Sequence, residues 1–327
     1  MSQLRDLFFS QIKKPQTNFK KACGRYAPSP TGSLHFGNLR TALVAWLQAR
    51  LSQGRFILRM EDIDLPRARP GSAEQIMHDL SWLGLDWDEG PDVGGEFSPY
   101  TQSERFDLYQ TAIDYLCEKQ RLFSCACSRK DIAQAASAPH ASDQRLIYPG
   151  TCRPNAQQKQ ADENETALRF FCPEHSIHFD DVVLGPQKIS LPDEVGDFVV
   201  KRRDGLFSYQ LAVALDDALM GVTDVVRGAD LIDSTAQQIL LLHTFGFTIP
   251  RYWHIPLVLD KAGKRMAKRD GGLSVDYYRE KGMSAAQLIG QLAASLELVP
   301  PQNRLSAQEL LQTCSLDQLI ACLKRHS

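Results

Sequence analysis

Hydrophobic positions in residues 22–97 follow two periods that together predict a parallel α/β unit. Residues 24–27 predict a short strand, and a turn rich in Pro, Ser and Gly separates it from residues 38–53, where leucines recur at helical spacing. Residues 56–60 are continuously apolar and predict a buried strand, and residues 72–83 predict a second amphipathic helix. The order strand, helix, strand favours a parallel sheet with helices packed against it.

Residues 98–197 have a different character. A helix is predicted over residues 103–120, but residues 130–166 are polar and poor in apolar side chains, which indicates loop or solvated helix. We therefore interpret the segment as an insertion, an α+β subdomain between two halves of the α/β domain.

Strand-like patterning resumes after the insertion. Residues 198–202 and 209–215 predict two strands joined by a hairpin turn at residues 203–205. The remaining predicted elements are a strand at 222–226, a helix at 234–245, a strand at 254–259 and a helical region from 283 to the C-terminus.

These patterns divide the chain into five segments. The first 21 residues are polar and basic around a short apolar patch at residues 7–9, and they predict a frayed N-terminal arm. The predicted segments are the arm at 1–21, the first half of the α/β domain at 22–97, the insertion at 98–197, the second half at 198–272 and a helical C-terminal region at 273–327.

Composition argues against a membrane protein and against a protein that coats nucleic acid through a generally basic surface. The 327 residues carry a formal net charge of -2 and are 43% hydrophobic, so any RNA contact is expected from local patches rather than from a general basic surface. No run of about 18 apolar residues predicts a membrane span, and the patch at residues 7–9 is too short for a signal-peptide core. We therefore expect a cytoplasmic protein without membrane contact, whose eight cysteines are not paired in disulfides.

The loop at residues 28–38 has the properties of a nucleotide site. It follows a predicted strand and opens a predicted helix, so backbone N–H groups and the helix dipole would point at an anion. Gly32 and Gly37 remove side chains where a nucleotide would approach, and His35 can donate hydrogen bonds to phosphate oxygens. From spacing alone, an ordinary strand-to-helix loop with a surface histidine explains the pattern equally well.

A second candidate loop, GKRMAKRDGG at residues 263–272, follows the predicted strand at 254–259. Its four basic side chains between glycines could clamp a triphosphate. A lone run of charge is more often a solvated basic turn, and from the residues alone that interpretation stays open.

Both loops resemble signatures of one enzyme family. RYAPSPTGSLHFGNLRTAL resembles the HIGH signature of class I aminoacyl-tRNA synthetases, in the version of glutamyl- and glutaminyl-tRNA synthetases, with residues 35–38 in the four motif positions. The second loop resembles the KMSKS signature, from which Arg265 and Ala267 depart. The resemblance implies a Rossmann-type catalytic domain that binds ATP with Mg²⁺, with His35 and Lys268 as catalytic residues. The ATP-binding residues that it implies are Pro28, Ser29, Pro30, Thr31, Gly32, His35, Gly37, Asn38, Arg265, Met266, Ala267, Lys268 and Arg269.

A third group of residues would recognise an amino acid. Residues 207–231, FSYQLAVALDDALMGVTDVVRGADL, closely resemble the corresponding part of glutamyl-tRNA synthetases. Arginine forks suit carboxylates, Glu61 could neutralise an ammonium group, and Tyr209 could add a directional hydroxyl. Each residue alone is more simply explained as a surface ion pair or a core tyrosine. The glutamate-binding residues implied by the resemblance are Arg25, Tyr26, Ala27, Pro28, Ser29, Glu61, Tyr209 and Arg227.

The length of chain after the second loop indicates which members of this family the sequence resembles most. Full bacterial glutamyl-tRNA synthetases carry a large helical anticodon-binding region there, whereas only about 55 residues follow Gly272, so we expect no such region. Over roughly residues 22–290 the chain resembles the truncated paralogues, the glutamyl-Q tRNA(Asp) synthetases. That family activates L-glutamate with ATP without tRNA and transfers it to queuosine in the anticodon loop of tRNA(Asp); we expect a monomer. The alternatives are a minimal glutamyl-tRNA synthetase that charges the 3′ end of tRNA(Glu) and an inactive zinc-bearing RNA-binding paralogue.

A cysteine pair within the insertion predicts a metal site. Cys125 and Cys127 supply two thiolates, Cys152 is a natural third ligand, and Zn²⁺ prefers four ligands in tetrahedral geometry. In the truncated paralogues a tyrosine oxygen completes a similar site, so the resemblance implies Tyr148 as the fourth ligand of one structural zinc ion per chain. A competing set with plausible metal spacing, Cys172, His175 and His178, stays open.

Overall fold

A six-stranded β-sheet organises the computed structural model, which describes residues 8–10, 21–128, 130–132, 147–154, 166–258 and 274–325. The strands are β1 (Cys23–Tyr26), β2 (Arg55–Leu58), β3 (Leu122–Cys125), β4 (Ala167–Phe170), β5 (Ser176–Asp181), β6 (Gly185–Ser190), β7 (Phe198–Lys201), β8 (Asp224–Gly228) and β9 (Arg251–Ile255). The order in the large sheet is β2-β1-β8-β9-β5-β6. Its first five strands run parallel, and β6 is antiparallel at one edge.

The parallel unit predicted near the N-terminus is confirmed. Helix α1 (Phe36–Leu51) links β1 to β2, which pair in parallel register. The helix is buried along most of its length, because the sheet lies against it on one side and helices from the C-terminal region on another. Helix α2 (Ser72–Trp82) follows, and it buries Ile76 and Leu80 as its amphipathic pattern predicts.

The insertion contributes to both sheets. It contains α3 (Phe106–Glu118), and its strands β3 and β4 form a small antiparallel sheet with β7. Strands β5 and β6 form a hairpin, and β5 joins the large sheet beside β9. Strand pairing therefore does not follow the predicted boundary at residue 197. The period of apolar residues predicts a strand but not its partner, so the sequence could not place this crossing.

One predicted strand is a helix. Residues 209–215 lie in α4 (Tyr209–Leu219), so the predicted hairpin has only its first strand, β7. Ser208 caps this helix by accepting the Leu211 backbone N–H, and most of the helix is buried. A short piece of a helix that is apolar all round cannot be told from a buried strand by its period. Beyond it, β8 and β9 are joined by α5 (Ile232–Phe245), as predicted.

The helical region predicted after residue 283 is confirmed. Its helices and the one before them are α6 (Val275–Glu280), α7 (Ala285–Ala294), α8 (Ala307–Thr313) and α9 (Leu316–Arg325). Ser274, Ser284 and Ser306 cap the first three by accepting a backbone N–H, and the last three pack against α1. No helix within the described ranges is both long enough and apolar enough to cross a membrane.

Residues 8–10 differ from the predicted frayed arm. Phe8 is fully buried, and its ring makes edge-to-face contacts with Tyr115, Phe245 and Phe247 at centroid distances of 5.9, 5.7 and 6.3 Å. An apolar patch too short for a signal core can still anchor a chain, since one aromatic side chain buries about 150–250 Å². The bounds of the arm remain a prediction.

Candidate active site

A cleft of about 470 Å³ opens at the carboxyl ends of the parallel strands β1, β8 and β9. Ligands of open α/β sheets bind at that edge. The cleft is lined by every residue predicted to bind glutamate and by the described residues predicted to bind ATP, except Pro30. These lining residues are Arg25, Tyr26, Ala27, Pro28, Ser29, Thr31, Gly32, His35, Gly37, Asn38, Glu61, Tyr209 and Arg227.

The remaining predicted ATP-binding residues lie elsewhere. Pro30 lines an adjoining cavity together with Ser29 and Thr31. Arg265, Met266, Ala267, Lys268 and Arg269 fall outside the described residues. Val258, the last described residue before that loop, lines the cleft, and Ser274, the first one after it, forms a β-bridge with His35.

The first loop meets the cleft at the start of α1. His35 is the N-cap of the helix: its carbonyl accepts the Leu39 N–H at 3.0 Å, and its own N–H donates to Asn38 Oδ1 at 3.4 Å. The N–H groups at the start of the helix and the positive end of its dipole therefore lie beside the cleft, as a phosphate site requires. Gly32 has a φ of +132°, which side chains disfavour and which explains a glycine in this turn.

A buried chain of ion pairs joins Arg25 to Glu61. Asp217 Oδ1 lies 3.1 Å from Arg25 Nε and 2.8 Å from Arg59 Nη2, and the same Arg59 nitrogen lies 2.9 Å from Glu61 Oε1. None of these four side chains is more than 5% exposed. Because Arg25 and Glu61 both line the cleft, the chain fixes one positive and one negative group at its surface.

The two carboxyl groups of this ion-pair network, those of Asp217 and Glu61, have pKa values shifted in opposite directions. Burial alone would raise the pKa of Asp217, but the guanidinium groups of Arg25 and Arg59 hold that pKa below its ordinary value. Burial raises the pKa of Glu61 above its ordinary value, because Arg59 and Arg25 offset only part of the effect. Asp217 is therefore the fixed anion, and the ionised form of Glu61 would gain from a positive ligand group.

Arg227, on β8, is held by neutral groups. Its Nε donates to His254 Nε2 at 3.1 Å, its Nη1 to Gln238 Oε1 at 2.8 Å and its Nη2 to Thr235 Oγ1 at 2.8 Å. Unlike Arg25, it has no carboxylate partner among the described residues. These bonds use three of the five N–H donors of the side chain, which is 4% exposed. Arg227 thus offers the cleft a buried positive charge and two N–H donors that no described residue accepts.

Tyr209 begins α4 and lines the same cleft. Burial raises the pKa of its hydroxyl to about 12, and the nearby charge of Glu61 adds to the shift. The phenol therefore keeps its proton at neutral pH and can donate a hydrogen bond to a carboxylate oxygen.

The cysteines of the predicted metal site come together at the end of β3. The Sγ atoms of Cys125, Cys127 and Cys152 all lie within 4.8 Å of one another. The Tyr148 hydroxyl oxygen is 3.5 Å from Cys125 Sγ and 3.9 Å from Cys127 Sγ, and it accepts the Cys152 backbone N–H at 2.6 Å. Three thiols and one phenol oxygen at these distances form a donor set that fits a tetrahedral zinc ion.

The competing metal set does not assemble. Cys172 is buried with its Sγ 3.9 Å from the Leu191 carbonyl oxygen, whereas His175 and His178 are exposed. Within the part of the chain that the structure describes, the group of Cys125, Cys127 and Cys152 is the one cluster with metal-ligand spacing.

Several polar residues behind the cleft were not predicted from the sequence. They are Arg59, Asp181, Asp217, Thr235, Gln238 and His254, all of them buried. Two of them, Arg59 in FILRM and His254 in RYWHI, lie within apolar stretches. A polar group in such a stretch must find a hydrogen-bond partner when it is buried. The sequence can therefore indicate that such a residue has a partner, but it does not show which residue that partner is.

The fold and the cleft define the catalytic domain of a class I tRNA synthetase. A family model described as tRNA synthetases class I (E and Q), catalytic domain, matches residues 21–313. The chain therefore belongs to this family, the glutamate and glutamine group of class I tRNA synthetases. It is a ligase with glutamyl-tRNA synthetase-like activity.

Its relatives within the family include two groups. The chain is 49% identical to the glutamyl-Q tRNA(Asp) synthetase of Symbiobacterium thermophilum, with 91% of this chain and 93% of that protein covered. It is 36% identical to the glutamate–tRNA ligase of a Sulfurihydrogenibium species, of which it covers 63%. Among solved structures, a glutamate tRNA ligase from Elizabethkingia meningosepticum in complex with its amino acid superposes with a TM-score of 0.77 at 30% identity, over 91% of this chain and 66% of that one.

Proposed function

We propose that this protein activates L-glutamate with ATP in the absence of tRNA and transfers the glutamate to queuosine in the anticodon loop of tRNA(Asp). The observation that carries the first step is one cleft with Arg25, Glu61 and Arg227 in its lining. The second step is supported by relatives named glutamyl-Q tRNA(Asp) synthetase, including the one that is 49% identical and covered over 93% of its length.

The charges of the cleft match those of glutamate. We assign the side-chain carboxylate of glutamate to Arg227, whose partners in the described part of the chain are all neutral. Glu61 attracts the ammonium group, and Tyr209 donates to a carboxylate oxygen. The α-carboxylate is then left to react with ATP bound at the start of α1.

Activation depends on positioning and charge stabilisation. The glutamate carboxylate attacks the α-phosphate of ATP in line and pyrophosphate leaves, so no protein general base is needed. His35 and Lys268 would stabilise the negative charge on the phosphate oxygens, and Mg²⁺ bound with ATP would offset part of the triphosphate charge. A queuosine hydroxyl then attacks the mixed anhydride and releases AMP.

The acceptor is tested with labelled glutamate and two pools of tRNA, one from cells that make queuosine and one from cells that cannot. We expect label in tRNA(Asp) of the first pool and none in the second. Labelling of tRNA(Glu) in both pools would identify a minimal glutamyl-tRNA synthetase instead. An absence of both labelling and ATP–pyrophosphate exchange would indicate an inactive RNA-binding paralogue.

Glutamate binding should weaken at low pH because of Glu61. Since burial raises its pKa, Glu61 gains a proton at a higher pH than an exposed glutamate does, and the neutral acid no longer attracts the ammonium group. The side-chain carboxyl group of the substrate has a pKa of about 4.3, so it is still ionised at the pH where Glu61 begins to take up its proton. We expect the KM for glutamate in ATP–pyrophosphate exchange to rise as the pH falls from neutral, and to do so above the pH at which an exposed glutamate side chain is protonated. Glu61→Gln should show a high KM that does not vary with pH, whereas a flat wild-type profile would count against this role.

We also propose that Cys125, Cys127, Cys152 and Tyr148 bind one structural Zn²⁺. The four donor groups already cluster, and the Arg169 guanidinium lies 4.0 Å from the centre of the Tyr148 ring, which restrains that side chain. The ion would tie the end of β3 to the segment at residues 147–154 and so stiffen the small sheet.

Zinc content distinguishes this site from the competing one. In protein purified without chelators, we expect about one zinc per chain in the wild type and in Cys172→Ser, and most of that zinc to be lost in Cys127→Ser. Chelation should also lower the melting temperature, since the binding free energy of a structural metal contributes to folding. Zinc retained in Cys127→Ser but lost in Cys172→Ser would contradict the assignment.

A further inference from the structure

Two residues continue the hydrogen bonds of Arg227 away from the cleft. His254, on β9, accepts from Arg227 Nε at its Nε2 atom, and its Nδ1 lies 2.6 Å from Asp181 Oδ2. His254 is fully buried, and Asp181 is 3% exposed. Neither residue lines the cleft, so neither is placed to touch a substrate.

These bonds determine which nitrogen of His254 carries the proton. Arginine only donates, so Nε2 accepts from Arg227, and the Thr235 hydroxyl, 3.1 Å from the same nitrogen, can also donate to it. The proton of the ring then lies on Nδ1, where Asp181 accepts it. Burial lowers the pKa of His254, and Arg227 acts in the same direction while Asp181 opposes the shift only in part. The neutral ring with its proton on Nδ1 is therefore the stable form.

Asp181 is itself fixed by the backbone. Its Oδ1 accepts the N–H groups of Val183 and Leu184 at 2.9 Å each, and the His254 N–H lies 3.2 Å from its Oδ2. At the end of β5, Asp181 pairs with Tyr252 of β9, whose ring lies 5.1 Å from the Arg227 guanidinium. The hairpin of the insertion thus supports the back of the cleft.

We propose that Asp181 and His254 are positioning residues, which hold Arg227 in the orientation that receives the side-chain carboxylate of glutamate. We further propose that they contribute to the selection of glutamate over glutamine. The inference rests on the proposed function, because it assigns two more residues to the same site.

The proposed selection of glutamate over glutamine depends on the neutral hydrogen-bond acceptors around Arg227. If the proton of His254 moved to Nε2, an N–H would face the Arg227 N–H, and the guanidinium would leave its place. The two remaining N–H donors of Arg227 suit the two oxygens of a carboxylate. The amide of glutamine offers one oxygen and an NH₂ group that no arginine donor can bond. Loss of these acceptors should therefore weaken glutamate binding while ATP binding persists.

The test compares KM values for glutamate and for ATP in ATP–pyrophosphate exchange. In His254→Leu, which cannot accept from Arg227, we expect the KM for glutamate to rise about 10- to 100-fold and the KM for ATP to stay within about twofold. His254→Gln, whose side-chain oxygen can accept the same bond, should lie within about 10-fold of the wild type. Asp181→Asn should also raise the KM for glutamate, because an amide can stabilise the other tautomer of the ring. His243→Gln, at an exposed position of α5, is the matched control.

An unchanged KM for glutamate, or a parallel rise in both KM values, would overturn the inference. If His254→Leu does not fold, His254→Gln and Asp181→Asn decide the question by the same ratio of KM values. Wild-type protein without glutamate-dependent exchange would contradict the proposed function itself, a result that is seen before any variant is made.

Discussion

Replacing Arg227 with leucine is expected to lower kcat/KM for glutamate in ATP–pyrophosphate exchange by about 10³-fold. The side chain is 4% exposed and its described partners are neutral, so its charge is available to the side-chain carboxylate of glutamate. Removing one member of a desolvated charge pair costs about 2–5 kcal/mol, which corresponds to a loss of about 30- to 5,000-fold.

Two further variants sharpen this prediction. Arg227→Lys keeps the charge but not the planar fork, so its loss should be smaller, about 10- to 100-fold. Arg304→Leu, in an exposed loop before α8, is the matched control and should behave as the wild type. A loss of less than about 10-fold in Arg227→Leu would contradict the assignment of the side-chain carboxylate to this arginine.

The second large effect is expected on stability, from replacing Arg59 with methionine. Arg59 is fully buried, with Glu61 at 2.9 Å, Asp217 at 2.8 Å and Asp216 at 3.8 Å. Burial alone would lower the pKa of Arg59, but these carboxylates raise it well above its ordinary value, so the side chain stays charged. Methionine would leave buried carboxylates without their shared cation, which should lower the free energy of unfolding by about 3–5 kcal/mol.

Urea denaturation at neutral pH measures this loss. Arg304→Met, exposed to solvent, should change the free energy of unfolding by no more than about 0.5 kcal/mol. A change of less than about 1 kcal/mol in Arg59→Met would show that the carboxylates find other compensation, and that Arg59 does not hold Glu61 and Asp217 together.

Local pattern was sufficient to predict most elements of the fold. The alternation of strand and helix before residue 97 predicts a parallel unit, and β1, α1 and β2 form it. The pattern failed at α4, where a run buried on most sides looks like a strand, and it could not assign β5 to the large sheet. Partner choice depends on contacts between distant parts of the chain, which a period of 2 or 3.6 residues does not encode.

In the candidate site, too, features within a short run of sequence were predicted, and contacts between distant residues were not. The resemblance of the loop around His35 to a family signature predicted the residues of that loop that line the cleft, because such a signature is a short continuous run of sequence. The residues that hold the cleft in shape were missed. Asp217 acts through Arg25, 192 positions away in the sequence, and Asp181 through His254, 73 positions away. Such pairs become visible only when the sheet brings their strands and helices together.

The central claim, that this cleft activates glutamate by itself, is tested most directly by ATP–pyrophosphate exchange with purified protein and no tRNA. The charges of Arg25, Glu61 and Arg227 predict exchange that requires L-glutamate and that L-glutamine does not support. An absence of exchange with glutamate, or exchange that begins only when tRNA is added, would contradict the claim.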